Sequence, residues 1–269
     1  MQKMSGVKEK ENLYVADFER LARQTGTPAW LASTRESAFQ RFLALGFPTT
    51  RLEDWKYTNV APIAAAPFSA APADLKSVEA SAIDAAILGD MGCPRVVVVD
   101  GSYAGLIGGK AVDNAGLRVG SLAKLVAEED RVVRENLSSY ADYDNHAFVA
   151  LNTAFVSDGV VLQIPDRVVV EEPIYLLFVS TGSRVNTISH PRALIVAGRD
   201  CQATVIQGFI GLGDEVYFTN AVTEVVVGEN SHINHFNLQA ESSRAYHVAT
   251  LQISQARSSS LHTHSIALG

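Results

Sequence analysis

Tyr217 to Gly269 reads YFTNAVTEVVVGEN, then SHINHFNLQAESSR, then AYHVATLQISQARS, then SSLHTHSIALG. Segments open at Tyr217, Ser231, Ala245 and Ser259, 14 residues apart each time, and the breaks between them are short and polar. Within the segments the pattern alternates. In Ala249-Thr-Leu-Gln-Ile-Ser254, Leu251 and Ile253 face one way and Thr250, Gln252 and Ser254 the other. Short strands at a fixed spacing belong to a sandwich or to a coiled solenoid. The near absence of two-residue Asn-Gly or Asp-Gly hairpin turns in this half favours the solenoid. The reading is a parallel β-helix in which each coil makes two passes along a flattened cross-section.

The same character extends back to Asp158-Gly159. The β-type runs are Val160–Ile164, Val168–Val170, Ile174–Val179, Leu194–Ala197, Ala203–Ile210, Val216–Val227, His232–Ala240, Ala245–Ser254 and Leu261–Leu268. Before Asp158 the pattern is mainly helical. Tyr14–Gln24 places Val15, Phe18 and Leu21 at helical spacing. A second helix opens after Thr27-Pro28, read as an N-cap followed by a first-turn proline, and stops at Gly46 with Pro48 beyond. Val60–Pro72 is Ala/Pro-rich and reads as a linker or irregular cover segment. Arg95–Asp100 followed by Gly101 reads as a buried strand and turn, and Ser121–Ser139 and Asn145–Phe155 return to helical spacing. The chain divides into residues 1–95 (an α-helical N-terminal domain), 96–157 (a strand and helical connection) and 158–269 (the β-helix), so the fold class is mainly β. It stops at Ile266-Ala-Leu-Gly269 in mid-strand, which reads as a truncation.

Composition narrows the function. Over 269 residues, 22 Lys and Arg stand against 29 Asp and Glu, a formal charge of −7, which steers polyanions away and argues against nucleic acid as a partner. Two cysteines exclude a disulfide scaffold, and 47% hydrophobic content excludes a disordered chain. The start of the chain has no apolar signal stretch, and no run approaches the roughly 20 residues that span a bilayer. A cytoplasmic protein without a membrane partner is expected.

Catalytic patterns fail one by one. Gly105-Leu-Ile-Gly-Gly-Lys110-Ala111 resembles a phosphate loop but is one residue short, and Ala111 replaces the hydroxyl that would hold magnesium. There is no G-x-S-x-G and no H-E-x-x-H, and the strands from 216 onward lack the grouped acids of a polysaccharide-cleaving β-helix. Five of the seven histidines fall between 232 and 264. His232, His262 and His264 are the candidate metal ligands, because neutral imidazoles on neighbouring strands can converge on a transition metal. A cupin template would need glycine where Ala256 stands and glutamate where Leu268 or Gly269 stands. The plainer reading puts His262 and His264 inside the coil, on the face of Ile266 and Leu268, hydrogen-bonded to polar neighbours. With two 14–15-residue passes per coil, His232 and His262 should stack in one sheet on adjacent coils, with His247 opposite. Cys93 and Cys201 read as small packing residues.

Arg51-Leu-Glu-Asp-Trp-Lys-Tyr-Thr58 mixes charge and aromatics directly after a helix stop, and reads either as a binding epitope or as an anchor for the helices. It resembles the R-x-E-x-W-K/R-Y-T segment of the SufB/SufD family of iron–sulfur cluster assembly proteins, on the SufD side of that family. His146-Ala-Phe-Val-Ala-Leu-Asn-Thr-Ala-Phe155, Asp158-Gly159, Val170-Glu-Glu-Pro-Ile174, His190-Pro-Arg192, and Thr219-Asn220 with Glu224 continue the resemblance in order. The resemblance implies a right-handed parallel β-helix behind a helical N-terminal domain. It also implies a non-catalytic scaffold role with SufB-like and SufC-like partners, with ATP hydrolysis in the SufC-like subunit. No cofactor is implied for the isolated chain. An iron–sulfur cluster and a reduced flavin belong to the complex, and pairing with a second copy through the β-helix is a further expectation. The alternative, from a different class, is a cupin-like β-solenoid binding metal or a small molecule through His232–His264.

Overall fold

The computed structural model describes residues 14–70, 78–87, 93, 95–107 and 116–268. Its helices are α1 (14–22), α2 (Ala29–Leu45), α3 (Ala61–Ala65), α4 (Ala80–Ala86), α5 (Leu122–Ala127), α6 (Arg131–Asn136) and α7 (Ala147–Phe155). The first strands are β1 (Ser69–Ala70), β2 (Arg95–Val99), β3 (Ser102–Ile107) and β4 (Arg118–Ser121). The solenoid strands are β5 (Val160–Ile164), β6 (Ile174–Ser180), β7 (Thr187–Ser189), β8 (Arg192–Ala197), β9 (Gln202–Gly211), β10 (Tyr217–Val227), β11 (His232–Ala240), β12 (Tyr246–Gln255) and β13 (Ser260–Ala267). Together they make a mainly β protein, a β-solenoid of about 4 turns behind a helical region.

Two sheets form the walls. One runs β1-β7-β10-β8-β5-β4 with β12 paired to β10, and the other runs β13-β11-β9-β6-β2-β3. Every pairing among β5 to β13 is parallel. The antiparallel pairs are β2 with β3, across the Asp100-Gly101 turn, and β4 with β5. Each coil is one step along the ladder, and the step shortens: Val160 pairs with Ala193, Arg192 with Val222, and Phe218 with Tyr246. The other wall runs from Ile174 to Val205, from Gln202 to His232, and from His232 to Ser260. One corner of each coil carries a left-handed residue: Arg167 (φ 64), Asp200 (φ 56), Asn230 (φ 59) and Ser258 (φ 58). Asn230 Nδ2 donates to Asp200 Oδ1 at 3.2 Å, so successive corners are tied together. Asn and Asp tolerate that backbone region better than other side chains, which is why the polar breaks are so short.

The interior is aliphatic: Val160, Leu162 and Ile164 meet Ile174, Leu176, Phe178, Ile195, Val205 and Val225. Both walls are also covered outside. On the β10–β8–β5 wall lie α2, α5, α6 and α7, all nine residues of α7 being buried. On the other wall Ile83 of α4 packs on Val97, Tyr175, Leu177 and Ile206. Aromatic rings weld the helices together: Phe18 stacks on Phe39 at 4.1 Å, and Phe155 meets both edge-on.

Several local expectations need correction. Pro28 itself occupies the N-cap of α2, and Thr27 Oγ1 accepts from Arg35 Nη1 at 3.2 Å instead of capping. Gly46 ends α2 as expected, at φ 63, its N–H donating to Phe42 O at 2.8 Å. Within Val60–Pro72, α3 and β1 form, because Ile63 and Phe68 are pulled into the aromatic cluster; Pro72 lies outside the described residues. Val168–Val170 makes only a single bridge, from Val169 to Gln202, so that pass is a corner. Of the phosphate-loop-like stretch, Gly105 lies in β3 and residues 108–111 are outside the described residues. Among the described residues no helix is long and apolar enough to cross a membrane.

Candidate functional site

The histidines separate into two environments. His232 lies on β11 and His262 and His264 on β13, in one wall, while His247 lies on β12 in the other, as the 14-residue spacing requires. The register differs from expectation, because the last coil takes 28 residues and not 30. His232 stands beside Ser260, to which its Nδ1 is bonded at 2.7 Å, and His262 stands beside Asn234. Facing also differs. Leu261 packs on the aliphatic interior, which turns Thr263 and Ser265 inward and puts His262 and His264 on the exposed outer face with Ile266. His264 stacks on Phe236 at 5.2 Å. Among the described residues no group of three or more His, Cys, Asp and Glu is placed to hold a metal ion.

The inward histidines are His247, which the spacing had placed opposite His232 and His262, and His235, which it had not marked. At their level the interior turns polar. Glu241, whose side chain is fully buried, accepts from Ser180 Oγ at 3.2 Å and Thr219 Oγ1 at 2.7 Å, and its Oε2 lies 2.6 Å from His247 Nδ1. Gln207 bridges Thr223 at 2.8 Å and His235 Nε2 at 3.0 Å, and Thr263 lies 3.4 Å from the other nitrogen of His235. Burial pulls the His235 imidazole down to about 4, so it is neutral near pH 7. Of these, Gln207, Thr223, His235, His247 and Thr263 line a cavity of about 570 Å³ at the final coils. The signal in the sequence was the polar inward set Gln207, Thr223, His235, Asn237 and Thr263, which is visible only once the inward face is known.

A second polar cluster joins the helices to the solenoid. Arg192 is fully buried, its Nη2 2.5 Å from Glu224 Oε1, with further bonds to Asn152 Oδ1, Thr153 Oγ1 and Ser138 Oγ at 2.9, 3.2 and 3.1 Å. Glu224 also accepts the backbone N–H groups of Ser138, Tyr140 and Ala141. Asn152 donates to Pro191 O and Asn220 O, and Asn220 donates to Phe148 O. Asp158 receives Ser121 Oγ, Ala123 N and Tyr103 N. At Gly159 (φ 151) a Cβ would stand 2.1 Å from Arg192 O, so only glycine lets the chain enter β5 there. Four of the stretches that carried the family resemblance, His146–Phe155, Asp158-Gly159, His190–Arg192 and Asn220 with Glu224, therefore meet in one buried seam. This is the charge arrangement expected of a structural lock, every buried oxygen of the Glu224 carboxylate being met by a donor.

Arg51–Thr58 divides between its two readings. Trp55 closes the short 3-10 turn Glu53–Trp55 and lies 5.3 Å from Phe148, anchoring the segment. Tyr57 is 91% exposed with Lys56 Nζ 5.5 Å above its ring. Cys201 is buried with its Sγ 2.8 Å from Pro165 O, and Cys93 is buried against the α4-covered wall.

Comparison with known proteins agrees with this architecture. Residues 8–176 match the family described as the SufBD protein N-terminal region, and residues 178–269 match the SUF system FeS cluster assembly SufBD core domain. The chain is 26% identical over 250 residues to an iron–sulfur cluster assembly SufBD family protein of Synechocystis, covering 89% of this chain and 54% of that protein. It is 25% identical to the iron–sulfur cluster assembly protein SufD of Escherichia coli (86% of this chain, 51% of that protein) and to SufD of Bacillus subtilis (77% and 48%). The chain thus spans about half the length of these relatives. With both halves of the family pattern matched in order on a helix-covered β-solenoid, the chain belongs to the SufB/SufD family of the SUF iron–sulfur cluster assembly system.

Proposed function

We propose that this chain acts as a non-catalytic scaffold subunit in a complex with SufB-like and SufC-like proteins, supporting iron delivery and cluster formation with the SufB-like subunit. The observation that carries the reading is the tandem family match over residues 8–269, laid on a solenoid whose helical cover is locked by the Arg192–Glu224 seam. A body of this kind holds its surfaces in fixed relation, which is what a subunit that positions others must do. ATP hydrolysis belongs to the SufC-like subunit. The iron–sulfur cluster and a reduced flavin belong to the level of the complex.

Co-expression with SufB-like and SufC-like partners tests this. Recovery of a complex that assembles clusters anaerobically, and loses that capacity when this chain is omitted, is the expected result. Failure to co-purify with either partner under conditions where the chain is folded overturns it.

A further inference from the structure

Among the described residues, no ion pair runs from α1, α2 or α7 to the solenoid wall. Arg192 and Glu224, the charges buried where the helices meet that wall, both stand on the wall itself, on β8 and β10. The helical side gives them only neutral groups, the side chains of Ser138, Asn152 and Thr153 and three backbone N–H groups. Parting the two layers therefore hydrates an intact pair and strands no charge. The solenoid also has an aliphatic core of its own, separate from the aromatic cluster that knits α1, α2 and α7. Such a division lets one part of a fold open while the other stays closed.

One titratable side chain sits between the layers. The ring of His190 stacks on Phe155 of α7 at 5.1 Å, and its Nδ1 lies 3.3 Å from Asn220 Nδ2 of β10. Asn220 Nδ2 also donates to Phe148 O at 2.9 Å, which fixes the sense of the amide. Nδ1 is therefore the acceptor, and the neutral ring carries its hydrogen on Nε2, which is buried without a partner. A second proton would have to enter on Nδ1, against the N–H of Asn220. No carboxylate around the ring is free to balance it. Asp17 of α1 is held by Arg20 and Ala70 N, Asp100 of the β2–β3 turn by Thr181, and Glu224 of the wall by Arg192. Arg35 of α2 is bonded to Val156 O, α7 has no ionisable side chain, and Tyr14, which meets Phe155, stays a neutral phenol because burial raises its pKa. The closed interface thus admits only the neutral imidazole, whose pKa burial holds well below its ordinary value. We infer that His190 is a proton-sensitive catch: when its ring takes up a proton, the helical cover of α1, α2 and α7 separates from a solenoid that stays folded. The inference goes beyond the assembly reading and does not rest on it.

Once open, His190 regains its ordinary value near pH 6.5, so each pH unit below that favours the open form about tenfold. His235 lies inside the solenoid, so its protonation acts on the strands instead. The test is hydrogen exchange of the whole chain between about pH 7 and about pH 5, read by mass spectrometry and corrected for intrinsic exchange rates. Peptides from α1, α2 and α7 should accelerate about tenfold per unit below about pH 6.5, while peptides from β6 and β9 do not. His190→Gln keeps an acceptor for Asn220 but takes up no proton, and should abolish that acceleration. Helices and strands accelerating together, no acceleration at all, or an unchanged slope in the folded variant each overturn the inference. Should His190→Gln fail to fold, the ring signal of His190 in ¹H–¹³C spectra of the parent decides. A constant shift across the range where the helices accelerate is expected, and a ring that titrates near pH 6.5 while the helices stay protected overturns the inference.

Discussion

Arg192 illustrates how much of this fold hangs on single side chains. Its guanidinium is wholly out of water and is balanced by Glu224 at 2.5 Å, so removing either partner strands a buried charge. Arg192→Met is expected to cost about 3–5 kcal/mol of unfolding free energy, read as a drop in urea midpoint at constant slope, with Glu224→Gln showing the same direction. Buried histidines set the acid response. His190, stacked on Phe155 at 5.1 Å, is pulled down by burial to about 3, and His235 to about 4. Unfolded, each would bind its proton near pH 6.5, so on acidification the unfolded state takes up protons first. Stability is therefore fully present above about pH 6.5 and falls progressively toward pH 4. Urea midpoints across that window should show the fall, and His235→Gln should make it shallower.

At the scale of elements, the corners and α7 carry the argument. Arg167, Asp200, Asn230 and Ser258 hold the left-handed corner on successive coils, and Arg167 is the least suited of them to it. Arg167→Asn keeps the turn and relieves backbone strain, so a gain of about 0.5–1 kcal/mol is expected in chemical denaturation. The helix α7 behaves as a core element and not as an amphipathic surface helix, because it lies between the solenoid wall and α2. Phe155 at its end touches Tyr14, Phe18, Phe39 and His190. Truncation to alanine should cost about 3–5 kcal/mol, checked by the same denaturation midpoint.

For the whole molecule, the decisive feature is that helices cover both walls outside, α2, α5, α6 and α7 on one and α4 on the other. His262, His264 and Ile266 lie exposed on the outer face of β13, with Thr263 on the inward face. Ile266→Lys, which changes only that outer surface, should leave the unfolding free energy within about 0.5 kcal/mol of the parent, read from the urea midpoint.

The periodicities in the chain were sufficient to place nearly every strand after Asp158, to make them parallel coils, and to separate them from the helices before. Local backbone preference and alternation act over a few residues, so they are legible in one dimension. Which face of each strand is the inside was not legible. Over most strands both faces are covered, one by the opposite wall and the other by α2, α4 or α7, and β13 carries apolar residues on both faces, Leu261 inside and Ile266 outside, so alternation defines two sets without saying which is enclosed. That ambiguity misplaced His262 and His264 and hid His235. The difference between a 28- and a 30-residue last coil lay in corner geometry, and likewise only packing revealed it. The seam of Arg192, Glu224, Asn152 and Gly159 was present in the sequence as separate short motifs. Their common purpose is decided by tertiary structure, because residues 39 to 86 positions apart meet only when the helices close over the solenoid.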